Sequence, residues 1–74
     1  MCTIEIYEWR PNCKKVSHTV LLQDRLGLSL SAAKELTDAV LANCRPKVTL
    51  KSEAEARSLV AALDALGFSA RLTG

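Results

Sequence analysis

Ten residues, Gly27-Leu28-Ser29-Leu30-Ser31-Ala32-Ala33-Lys34-Glu35-Leu36, constrain the fold of this chain more than any other stretch. Gly27 suits the left-handed conformation that closes a helix. Ser29 or Ser31 is a good N-cap for a second helix, and only a short leucine-bearing link lies between the two. Helices joined this closely must pack against each other, so the middle of the chain is expected to be a helical hairpin.

On the N-terminal side, residues 2–9 alternate. Ile4 and Ile6 point one way, and Thr3, Glu5, Tyr7 and Trp9 the other, which is the pattern of a half-buried strand. Pro11 lacks a backbone donor and ends it. Asn12 is then expected to cap a first helix over residues 13–26, with Val16, Val20, Leu21, Leu22 and Leu26 at apolar spacing. Lys14 and Lys15 fall in its first turn, where the helix dipole disfavours cations. The second helix runs to about Asn43, turning Leu30, Ala33, Leu36, Val40 and Leu41 inward and Lys34, Glu35 and Asp38 outward. Pro46 bars its continuation.

Residues 47–51 alternate again, with Val48 and Leu50 inward. Ser52-Glu53-Ala54-Glu55 is a capping box that opens a third helix with Leu59, Val60, Leu63 and Leu66 along one stripe. Gly67 closes it, and Phe68, Ala70 and Leu72 alternate in a last strand. The order strand–helix–helix–strand–helix–strand over residues 1–74 predicts one α+β domain. Its simplest form is a two-layer sandwich, a three-stranded sheet with all three helices on one face. The other sheet face would then show Tyr7 and Trp9 beside Lys47, Lys51 and Arg71. Three uses of those aromatics follow: packing under Lys and Arg stems, a protein interface, or stacking on single-stranded bases.

Few function classes fit. Ten basic residues are interspersed with eight acidic ones for a net charge of +2, without the one-sided clustering of an obligate nucleic-acid binder. Cys2, Cys13 and Cys44 are an odd, widely spaced set with no Cys-x-x-Cys clip. Together with His18 they match no zinc-finger or zinc-ribbon spacing. The expectation is three reduced thiols in a cytoplasmic protein, with no metal and no cofactor. No apolar run approaches the ~18 residues of a membrane span, and the N-terminus does not read as a signal peptide. His18 is the only histidine, the acids form no dyad by spacing, and no phosphate loop is present. The chain therefore does not read as an enzyme. Cys13, at the start of a helix, is the one candidate nucleophile, without a partner near it in sequence.

The segment Leu26 to Leu36 reproduces a Gly-Leu-x-Leu-x-x-Ala-Lys-x-Leu pattern, Lys15-Val16 supplies a basic–apolar pair at the start of the first helix, and an Ala-Glu-Ala-rich helix precedes Leu66-Gly67 and the last strand. In these features the chain resembles, from about Thr3 to Leu72, the C-terminal domain of the bacterial ribosomal stalk protein. The resemblance implies a non-enzymatic docking module whose first two helices recruit translational GTPases to the ribosome, with Lys15, Val16 and Lys34 on the recruiting surface. Val20 and Gln23 stand where that family carries a Lys and an Arg, and Asp24-Arg25 replaces its Gly-rich turn, so fewer cations steer an acidic partner. The chain starts directly on its first strand, which points to a stand-alone relative of that domain. The same layout is shared by the Clp-protease adaptor family, whose turn after the first strand grips a substrate α-amino group. Here that turn is Arg10-Pro11-Asn12-Cys13, with Asn12 but without the acidic partners.

The expected function is thus binding of another protein, a translation factor or ribosome-associated component, through Lys15, Val16, Thr19 and Lys34, with Val20 and Gln23 setting specificity. Alternatives are a Clp-adaptor-like or an inhibitor- or immunity-type binding protein, and an RNA-binding sheet face centred on Trp9.

Overall fold

Ile4 and Ile6 are wholly buried while Thr3 and Glu5 are not, so the first alternating segment is half-buried as its pattern predicts. It forms β1 (Cys2–Trp9) in a computed structural model that describes residues 2–73. Met1 and Gly74, the ends of the predicted domain, fall outside that range. The remaining elements are α1 (Lys15–Leu26), α2 (Leu30–Leu41), β2 (Lys47–Leu50), α3 (Glu53–Ala65) and β3 (Phe68–Leu72). The fold is the small α+β class expected, with β1 in the centre of an antiparallel sheet of order β2-β1-β3.

The inward sheet residues Ile4, Ile6, Val48, Leu50 and Phe68 meet Val40 of α2 and Ala56, Leu59 and Leu63 of α3 in one core. Leu22 and His18 of α1 are equally buried. All three helices therefore cover the same sheet face. Ser52 caps α3 as predicted, its Oγ accepting from the Glu55 N–H at 3.2 Å.

Two predictions along the chain are corrected. α1 begins at Lys15 rather than residue 13, and Lys14, without a side-chain cap, stands in the N-cap position instead of Asn12. The intervening residues are held elsewhere. The Cys13 N–H bonds Arg10 O, the Lys14 N–H bonds Leu66 O at 2.9 Å, and the Arg10 N–H bonds Gly67 O at 2.9 Å. The β1–α1 turn is thereby docked on the α3–β3 turn, and the Arg10 guanidinium reinforces it by donating to the Asp64 carbonyl at 2.6 Å.

The second correction concerns Trp9. A bulge at Tyr7 shifts the β1–β3 register, so that Ile6 faces Ala70 but Trp9 faces Phe68. One extra residue reverses the alternation beyond it. Trp9 therefore packs against the core on the helix side, its Nε1–H reaching Asn43 Oδ1 at 3.3 Å. Tyr7 stays on the open face, where the Arg71 guanidinium lies 5.0 Å from its ring centre while donating to Glu5 Oε1. For Tyr7, packing under an arginine is the outcome.

Candidate protein-docking surface

The helical hairpin closes as its sequence predicts. Gly27 takes φ 65° and donates to Gln23 O, and Ser29 Oγ accepts from the Ala32 N–H at 3.2 Å. What joins the two helices, however, is a polar seam that apolar periodicity did not reveal. His18, Thr19 and Thr37 are all buried. The His18 ring lies against Phe68, centroids 4.0 Å apart, and its Nδ1 is 2.7 Å from Thr37 Oγ1. Thr19 Oγ1 is 2.8 Å from the same oxygen, which also sits 3.1 Å from the Ala33 carbonyl.

Hydrogen-bond bookkeeping fixes the tautomer. Thr37 has one proton, which goes to Ala33 O, and the single Thr19 proton is shared between Lys15 O at 3.2 Å and the Thr37 oxygen, so His18 meets that oxygen by donating an Nδ1–H. Nε2 is then a bare lone pair with no partner. The other tautomer would bury an unpaired N–H, which costs more. Burial without a compensating charge lowers the His18 pKa from 6.5 to about 4.

Above this seam lies a groove of about 370 Å³ between α1 and α2. Thr19 and Thr37 form its floor, Val16 and Leu30 its walls, and Lys15 and Lys34 its rim. Thr19, expected among exposed contact residues, is only 9% exposed because its hydroxyl is spent on the seam. Val16, by contrast, is 79% exposed and Val20 56%, and Leu30, expected to face inward on α2, is 60% exposed at the first position of that helix. The apolar positions of α1 are therefore split: Leu22 enters the core while Val16 and Val20 form an outward ridge. On the far flank of that ridge Val20 borders a second shallow cleft with Leu21, Asp24 and Leu66. Gln23 is half-buried beside it.

The structure thus brings Lys15, Val16, Thr19 and Lys34 into one groove and leaves Val20 on the ridge. Neither Lys15 nor Lys34 is in an ion pair among the described residues.

The alternative sites look different. Asn12 is exposed beside Arg10 and Asp64, and that carboxylate already takes the Arg10 guanidinium at 3.3 Å. Cys13 packs against Gly67, and Cys2, Cys13 and Cys44 are free thiols. Among the described residues no three His, Cys, Asp or Glu side chains gather as a metal site, and no helix is long and apolar enough to cross a membrane. No protein family, curated protein or solved structure matches the chain.

Proposed function

We propose that this protein works by binding rather than by catalysis, docking another protein on the outward side of α1 and α2 in the way its stalk-domain resemblance implies. A translation factor or ribosome-associated protein is the partner that resemblance suggests. The carrying observation is the pairing of exposed aliphatic side chains, Val16 and Leu30, across a groove whose rim lysines, Lys15 and Lys34, have no acidic partner of their own among the described residues. Apolar area supplies affinity, and unpaired cations supply steering and register. The rival reading, single-stranded RNA on the open sheet face, loses its principal aromatic, because Trp9 packs on the helix side.

Affinity capture from nuclease-treated bacterial lysate tests the reading. Translational GTPases or ribosomal proteins should be retained, and Lys34→Glu and Val16→Asp should each weaken capture at least about tenfold, or about 1.4 kcal/mol. Capture indifferent to both substitutions would put the surface elsewhere. Retention that vanishes with nuclease would move function to nucleic acid, and retention of one unrelated protein would keep the docking surface and discard the ribosome.

A further inference from the structure

Buried side chains of β1, β2, β3, α2 and α3 join in one apolar cluster, and none of them comes from α1. That helix reaches the cluster through Leu21 and Leu26, both only partly buried, and through the His18 ring on Phe68. Its start is weak. No side chain caps it, its first turn holds no acid, and Lys15 there opposes the helix dipole. The helix is tied at both ends, by the Lys14 N–H on Leu66 O and by the left-handed Gly27, whose Cβ position has nothing within 4 Å. Its middle is fixed by Leu22, Thr19 and His18, and His18 touches Thr37 of α2 and Phe68 of β3 at once.

That grip lasts only while the imidazole is neutral. Nδ1 already carries a proton, so a second one goes to Nε2, the buried atom with no acceptor. No neighbouring charge offsets it. On α1 the charged groups are Lys15 about one turn before it, after Lys14 at the cap, and Asp24 and Arg25 at the far end. On α2, Lys34 and Asp38 line the groove beside Thr37, and Glu35 is exposed. On β3, Arg71 lies on the other sheet face against Glu5 of β1, and on α3, Asp64 holds Arg10. None is within ion-pair distance of His18 among the described residues. A buried imidazolium left in this way is expelled to water rather than accommodated.

We propose that α1 is an acid-released strap: a proton taken up at His18 Nε2 frees the helix from Phe68 and Thr37 while the sheet, α2 and α3 stay assembled. The lowering of the His18 pKa from 6.5 to about 4 acts in the same direction. A released, hydrated imidazole titrates near 6.5, so release gains as pH falls from 6.5 toward 4. Opening uncovers Phe68, and because Lys15, Val16 and Thr19 ride on α1 it also dismantles the groove. That last consequence rests on the docking reading, whereas the opening itself does not.

Residue-resolved amide hydrogen exchange at pH 7 and pH 5 tests the proposal, with rates corrected for intrinsic exchange. The amides from Leu22 to Leu26 should be less protected than those of β1 and α3 at both pH values, the mark of a partial opening. Their protection should fall about twentyfold between pH 7 and pH 5, because the opening includes His18. In His18→Asn, which keeps a donor toward Thr37 but does not titrate, that fall should vanish. Protection of α1 equal to that of β1 and α3 overturns the proposal, since the helix then leaves only with the whole fold. Lower protection without the pH dependence overturns it too, as does a dependence that survives in the variant. The wild-type comparison decides the matter even if His18→Asn does not fold. No partner enters these measurements, so their failure is distinct from failure of the docking reading.

Discussion

His18 Nδ1 lies 2.7 Å from the Thr37 hydroxyl, and this contact between buried polar groups fastens α1 to α2 directly beneath the groove. Because the Thr37 oxygen also meets Thr19 and the Ala33 carbonyl, one hydroxyl organises the seam.

Removing that hydroxyl while keeping its volume should therefore be costly. Thr37→Val leaves the His18 Nδ1–H without an acceptor, and a buried unsatisfied donor costs about 1–3 kcal/mol. Thr37→Ser keeps the oxygen and should lose less. Urea denaturation of the two variants measures the difference, and equal losses would mean that the methyl group matters rather than the bond.

Stability should fall on mild acidification. The folded-state pKa of His18 is lowered to about 4 from 6.5, so between those values the unfolded chain binds the proton that the folded chain refuses. Stability is fully present above pH 6.5 and declines as pH drops toward 4, by about 3 kcal/mol for that shift. Proton NMR of the imidazole reports the group directly, and a midpoint near 6.5 would contradict its burial.

The two glycines that follow helices, Gly27 after α1 and Gly67 after α3, should respond very differently to alanine. At Gly67, φ is +94° and a Cβ would lie 2.8 Å from Cys13 Cα and 2.9 Å from its Cβ. Left-handed strain and collision with a docked turn combine, and Gly67→Ala is expected to cost about 2–4 kcal/mol. Gly27 also has positive φ but nothing within 4 Å of its Cβ position, so Gly27→Ala should cost only about 1 kcal/mol. Thermal or urea melts rank the pair.

Trp9→Ala should act on folding. The side chain packs against the core opposite Phe68, and truncating a large core aromatic costs about 3–5 kcal/mol when it is wholly buried; Trp9, only partly buried, should lose somewhat less. If the variant kept wild-type stability, the helix-side placement of Trp9 would be refuted.

Element order, the hairpin link and the Ser52 cap were legible because each has a local signature: a glycine, a capping hydroxyl or an apolar period. Trp9 was misplaced because period-two reasoning assumes an unbroken ladder, and the bulge at Tyr7 has no mark in composition. The start of α1 was misread for a different reason. Asn12 is a good cap by type, but tertiary bonds from Lys14 to Leu66 and from Arg10 to Gly67 claim the turn. Lys15, Val16 and Lys34 were legible as surface groups. Thr19 was not, because a threonine buries comfortably only when its hydroxyl is met, and its partner Thr37 lies a helix away.

The placement of β1 between β2 and β3 has a consequence for synthesis. Ile4 faces Val48 on one side and Leu72 on the other, so β1 must wait for β3, made some sixty residues later. Until β3 leaves the ribosome, β1 carries an unpaired edge and an uncovered aliphatic face, the features that invite misassociation in nascent chains. With pairings this distant in sequence, the sheet closes late and as a unit, and a product that stops short of β3 keeps its central strand open to capture by chaperones.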